Sequence, residues 1–280
     1  LSRSRGVGVS DELQRDPTRP TPAADASDPF GVRGRVAVVT GAAQGIGAAV
    51  AVALRAAGAR VIGLDRQDPA GWAVGDLDAR LDVTDGAAVR AAFADIERRI
   101  GPVHLVAHAA GALAVGSLLD ESAEADVQRM LQVNTLGTWQ VVSTAGRAMA
   151  GRGDGAIVVI GSDAAARART RIGAYGASKA AAAALVRAIG LELAGRGVRC
   201  NVLAPGATDT PMQRALWPDP AADDGGAAVA AGDAGSFRGP IPIGRIADPA
   251  DVAATAVFLL SPLARHLTMQ VVTVDGGASL

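Results

Sequence analysis

The sequence predicts one α/β domain built on a doubly wound parallel sheet of about seven strands with helices on both faces, and three observations carry that expectation. From residue 35 onward, short Val/Ile/Leu runs alternate with longer Ala-rich segments of helical period, the pattern of parallel strands joined by crossover helices. A glycine-rich turn follows the first run directly and opens the first helical segment. With 280 residues, 49% hydrophobic and 20% charged, the chain can bury one sizeable core without division.

The elements follow in order. Residues 1–31 are polar and carry Pro17, Pro20, Pro22 and Pro29, a composition that cannot offset its ordering entropy, so a disordered tail is expected before a domain over 32–280. Strands are expected at 36–40, 60–65, 79–82, 103–108, 156–161, 198–203 and 271–274, with helices near 45–57, 85–100, 123–150, 174–195 and 249–260. Residues 218–236, rich in Gly, Ala, Asp and Pro, are too long for an ordinary connector. They read either as part of a substrate lid near 211–240 or as a solvated insertion.

Composition narrows the function. Twenty-seven basic against 28 acidic side chains leave a net charge of −1, without the footprint of a nucleic-acid or anionic-membrane binder, so the expected partner is a small molecule. A lone Cys200 forms no internal disulfide and no Cys/His cluster offers a zinc site. His104 and His108 have i,i+4 spacing, but on a strand that spacing makes no chelate, and with His266 elsewhere no metal is expected. No apolar run approaches the ~20 residues of a membrane helix and the first 30 residues hold no apolar signal core, so a cytoplasmic location is expected. Of the basic residues only Lys179 is a lysine, and Tyr175 is the single tyrosine. Two rare residues four positions apart suggest a chemical requirement.

The first strand runs into Gly41-Ala42-Ala43-Gln44-Gly45-Ile46-Gly47. Glycines here let the backbone approach a pyrophosphate, and the following helix N-terminus presents unpaired N–H groups. Asp65 closes the second strand 18 residues after Gly47, the position from which a carboxylate accepts hydrogen bonds from ribose hydroxyls. A 2′-phosphate ~4 Å away would meet repulsion of roughly 4 kcal/mol per unit charge at an effective dielectric near 20, which favours NAD. Arg66 could neutralise such a phosphate, but adjacent strand residues point to opposite faces. Asp82 and Val83 are placed either to touch the adenine or simply to precede a helix cap at Asp85. On a helix Tyr175 and Lys179 share one face, where an ammonium should lower the phenol's pKa toward that of a usable base.

The turn Thr40-Gly41-Ala42-Ala43-Gln44-Gly45-Ile46-Gly47 together with Tyr175-Gly176-Ala177-Ser178-Lys179 resembles the short-chain dehydrogenase/reductase family over about residues 34–277. The resemblance implies a Rossmann-like fold in which Tyr175 is the base, Lys179 also binds the nicotinamide ribose, Ser162 hydrogen-bonds the reacting hydroxyl and Asn134 holds a relay water. It further places Ala110, Gly111, Pro205, Gly206 and Thr208 along the dinucleotide. His108-Ala109-Ala110-Gly111 stands where the family has Asn-Ala-Ala-Gly, which alters the local hydrogen bonding. Family members pair helices such as 123–150 and 174–195 between subunits, so a homotetramer is expected.

Residues 162–175 and 190–217 resemble one branch of the family, which oxidises the C3 alcohol of a cyclohexadiene carboxylate to a catechol acid used in siderophores. A related branch takes a substrate with an amine in place of the C2 hydroxyl and makes 3-hydroxyanthranilate for antibiotic assembly; the two are not separable from one sequence. A ring carboxylate needs a cation, and Arg169 and Arg214 lie in the two stretches, with Gln213 as a neutral donor. Arg214 also reads as a helix-surface arginine. Met212, Leu216 and Trp217 form either an apolar wall for the ring or the packing of the lid. A general ketone or 3-oxoacyl reductase is disfavoured by Asp65, and a non-catalytic dinucleotide sensor by the retained Tyr175 and Lys179.

Overall fold

The computed structural model describes residues 28–217, 219, 225–236 and 238–279. The expected tail lies outside them up to residue 27, as do 218, 220–224 and 237 of the lid segment. Residues 28–31, which the composition placed in the tail, instead form a turn. The Asp28 carboxylate accepts from the Val32 and Arg33 N–H groups (3.1 and 3.2 Å), and Phe30 packs on the core.

Seven strands form one parallel sheet in the order β3-β2-β1-β4-β5-β6-β7, comprising β1 (Val36–Thr40), β2 (Arg60–Asp65), β3 (Leu77–Arg80), β4 (Val103–His108), β5 (Gly155–Ile160), β6 (Val198–Pro205) and β7 (Val271–Val274). β1 pairs on one side with β2 and on the other with β4, so the winding reverses there and a crevice opens beyond the carboxyl ends. β3 starts two residues before its expected position. Asp76 and Asp78 accept from the Val61 and Gly63 N–H groups (2.7 and 3.2 Å), which draws the edge strand into the register Ile62 opposite Leu77.

Alternation along the strands divides the core into two layers. Ala37, Val39, Leu105, Ala107 and Val158 face α1 (Gly45–Ala56) and α8 (Pro249–Leu260), which bring Val50, Leu54, Val252 and Val257. Val38, Ile62, Val106, Ile157 and Val159 face the opposite layer. That layer holds α2 (Gly86–Arg99), α4 (Gly137–Arg152) and α5 (Gly173–Ala194), through Phe93, Val142, Met149 and Val186. The helix expected at 123–150 is α3 (Ala123–Met130) joined to α4 by a π-helical stretch, Leu131–Leu136.

Where composition suggested only a lid or an insertion, the chain forms α6 (Pro211–Arg214), α7 (Gly225–Ala231) and a 3-10 turn, Ala234–Ser236. Gly225 allows this packing, because a Cβ there would strike the Trp217 ring at 2.3 Å.

Candidate active site

A cavity of about 330 Å³ occupies the crevice. At its first end Gly41 adopts φ +70°, and a Cβ would lie 2.6 Å from the Ala110 nitrogen; one on Gly47 would run into the Gly41 carbonyl. Both glycines are therefore required by the turn's own packing, on itself and on the residues after β4, and that packing sets the backbone that lines the cavity. Gly41, Gln44, Gly45, Ile46 and Gly47 all line it, as do Ala110 and Gly111 from the end of β4. The Asp65 carboxylate lies in the same wall, accepting from the Ala43 and Gln67 N–H groups at 3.1 and 3.0 Å. These residues fit the pyrophosphate and ribose of a dinucleotide.

Arg66 lines the cavity as well, contrary to the expectation that it turns away. The strand ends at Asp65, and with it the alternation on which that expectation rested. Asp82 and Val83 line the cavity too, while Asp85 separately caps α2 through the Ala87 and Ala88 N–H groups. Hydrogen bonds from Thr84 hold the Asp82 carboxyl below its ordinary pKa.

The middle of the cavity is lined by Ser162, Tyr175 and Lys179, with Pro205, Gly206 and Thr208 opposite. Helix α5 sets Lys179 Nζ 5.9 Å from the Tyr175 ring centroid, and the ammonium donates to the Ile160 carbonyl at 2.8 Å. Burial pulls Lys179 down to about 8. Burial is also the dominant influence on Tyr175 and pushes its phenol above the ordinary value, although the Ser162 hydroxyl acts against it. The lowered phenol expected from the Tyr/Lys spacing is thus overturned in the protein alone: withdrawal from water, joined by the Asp163 charge, outweighs the Ser162 hydrogen bond.

Asn134 does not line the cavity. Fully buried in the π-helical stretch, its amide exchanges two hydrogen bonds with the Ala112 backbone (2.8 and 2.9 Å) and donates to Ser178 Oγ at 2.9 Å. Its side chain braces the wall behind Gly111 and Lys179. His108, also fully buried, meets Thr40 Oγ1 through Nδ1 at 2.7 Å, and its Nε2 has no partner among the described residues. Burial, with the Lys179 charge second, brings its pKa to about 3, so the ring is neutral.

At the far end the expected substrate residues separate. Arg169 and Gln213 line the cavity, together with Met212 and Leu216. Arg169 is ion-paired to Asp163, which itself sits beside Ser162. Arg214 and Trp217 do not line it. Arg214 grips Asp209 through Nε (2.5 Å) and Nη2 (2.7 Å) and lies over Trp217 at 5.0 Å, while Trp217 is buried against Gly225. Both serve the packing of the segment. Arg238 lines this end and was not singled out from the sequence, since nothing in its local pattern distinguishes it from other arginines of the chain. Asp163 was likewise passed over inside its motif.

Comparison with known proteins agrees with this geometry. The family model described as Enoyl-(Acyl carrier protein) reductase matches residues 41–279. A 2,3-dihydro-2,3-dihydroxybenzoate dehydrogenase of Bacillus subtilis (strain 168) is 39% identical over 262 residues, covering 89% of this chain and 98% of the relative. The protein of the same name from Escherichia coli (strain K12) is 40% identical over 247 residues, covering 86% and 96%. Among solved structures, ligand-free aldohexose dehydrogenase of Thermoplasma acidophilum superposes with a TM-score of 0.80 at 30% identity, covering 89% of this chain and 96% of that one.

Proposed function

The chain belongs to the short-chain dehydrogenase/reductase family, oxidoreductases that use a nicotinamide dinucleotide, and from that premise we propose that it oxidises the C3 alcohol of 2,3-dihydro-2,3-dihydroxybenzoate with NAD. One observation carries the reading: a single cavity has Asp65 and the glycine cradle at one end and Ser162, Tyr175 and Lys179 beyond them. The names borne by relatives 39–40% identical over nearly the whole domain direct the substrate.

Bound in this cavity, the dinucleotide supplies the hydride acceptor. The chain's own residues do the rest. The Gly41–Gly47 turn and the start of α1 hold the pyrophosphate, and the Asp65 carboxylate takes the ribose hydroxyls, which favours NAD over a 2′-phosphorylated cofactor. Ser162 donates to the reacting oxygen, and Tyr175, whose phenol must be drawn down from its raised value by the positive charges of Lys179 and the bound dinucleotide, accepts the hydroxyl proton as a phenolate when hydride leaves C3. Lys179 keeps positive charge beside that phenolate and binds the nicotinamide ribose. Asn134 and Ser178 hold the wall against which these groups stand. The resulting ketone loses the C2 hydrogen as a proton and takes one on oxygen, which makes the ring a catechol acid. Met212 and Leu216 stand against the ring at the substrate end. The molecule assembles as a homotetramer.

The test is reduced-nicotinamide absorbance with 2,3-dihydro-2,3-dihydroxybenzoate and either NAD or NADP. NAD should give the higher kcat/KM, and Tyr175→Phe should abolish turnover while dinucleotide affinity stays nearly unchanged. No turnover of this acid by the unmodified protein would refute the substrate, and an active Tyr175→Phe would refute the base. Equal efficiency with both cofactors would remove the role given to Asp65.

A further inference from the structure

At the substrate end of the cavity two arginines stand close together, and only one of them has a carboxylate partner. Arg169 is ion-paired to the buried Asp163, so that pair contributes little net charge. Arg238 lines the same end, and its guanidinium has no hydrogen-bond or ion-pair partner among the described residues. Its backbone, by contrast, is fixed. Arg238 and Asp233 exchange both backbone hydrogen bonds (2.8 and 2.9 Å) as an antiparallel bridge, and the Ile241 N–H then joins the Ala230 carbonyl at 2.8 Å. Gly232 at φ +81° makes the hairpin possible, since a Cβ would come 2.7 Å from the Arg238 carbonyl oxygen. The fold thus holds over the site a guanidinium that makes no direct hydrogen bond or ion pair among the described residues.

We propose that Arg238 is the residue that recognises the ring carboxylate of the substrate, with the Asp163-paired Arg169 completing the pocket beside it; this deepens the substrate reading above and rests on it. An arginine keeps its charge in any protein environment, and its planar fork matches a carboxylate. Burial and the like charge of Arg169 depress the Arg238 guanidinium more than the Asp163 charge supports it, and an anion between the two arginines would relieve both. Arg214, expected from the sequence to fill this role, is held by Asp209 instead.

Binding separates this inference from the reaction. Calorimetry of the dinucleotide-loaded protein should show 2,3-dihydroxybenzoate bound more tightly than catechol, which lacks the carboxylate. Arg238→Gln should weaken the acid by about 10- to 100-fold and catechol by less than about 2-fold. Arg238→Lys should recover part of the loss, and Arg214→Ala should weaken both ligands alike. Equal losses on acid and catechol in Arg238→Gln, or no preference for the acid in the unmodified protein, would overturn the proposal. A protein that prefers the acid through Arg238 but does not turn over the dihydro acid would keep this anion site and refute the proposed reaction alone.

Discussion

Lys179 is a cation kept almost wholly from water, with the Ile160 carbonyl as its hydrogen-bond partner, and that gives a pH signature of known sign. Burial takes it from 10.5 in the open chain to about 8 in the fold. Between those values the unfolded chain binds a proton that the native state lacks, so the lysine's contribution to stability rises with pH across the window and is lost as pH falls through 8. Lys179→Met has no such dependence. Without dinucleotide, the variant should gain on the unmodified protein as pH falls from 10.5 to below 8, by up to about 3 kcal/mol over the window. Melting temperatures at several pH values check this; a difference that stays flat would mean that Lys179 remains fully charged in the fold. Tyr175 and Lys179 were legible because a base and its cation need one spacing on one helix. The direction of the Tyr175 shift was not, because burial belongs to the surrounding walls and not to the motif.

Elements differ in how they reveal themselves. The long helices and the inner strands were readable because each buries a periodic face. α7 was not: Gly225-Gly226-Ala227-Ala228 reads as a loop, and the helix exists here with Ala230 buried and Trp217 packed on its first turn. Equally hidden was the support of α8. Arg199 on β6 donates to the carbonyls of Leu259, Leu260 and Ser261 (2.6, 3.1 and 2.9 Å), supplying charged donors where the helix leaves carbonyls unpaired. Arg199→Ala should cost about 2–3 kcal/mol, because charged hydrogen bonds are lost and the carbonyls are left without partners. For a domain of this size that corresponds to roughly 5–10 °C in Tm. Calorimetry showing a shift below about 2 °C would mean that water replaces the guanidinium at the helix end.

At the scale of the molecule, the glycine-cradle half of the cavity was legible and the far half only in part: Arg169, Met212, Gln213 and Leu216 line it, whereas Arg214 and Trp217 do not and Arg238 went unnoticed. Gly41 to Gly47, Asp65 and the Tyr175/Lys179 pair are local patterns on the sheet's own elements. Arg238 reaches the cavity only because a tight hairpin closed by the Asp233 bridge folds the chain back, a local turn with no period to announce it. Surface chemistry at this scale carries the remaining prediction. Leu131 and Leu136 are 40% and 46% exposed and share a shallow hollow with Gln128 and Gln132; Trp139 is 42% exposed and, on α5, Leu191 is 70% exposed. Large apolar side chains gathered on neighbouring helices mark an interaction surface, and closed symmetric assembly lets identical patches cover one another. Light scattering at micromolar concentration should give four chains per particle. Leu136→Glu combined with Trp139→Glu places two charges three residues apart on one helix face, where burial against a partner would be strongly unfavourable. The double variant should therefore fall to dimers or monomers with its helical content kept, whereas an unmodified protein that is already monomeric, or a double variant that remains tetrameric, would show that this face is not the interface.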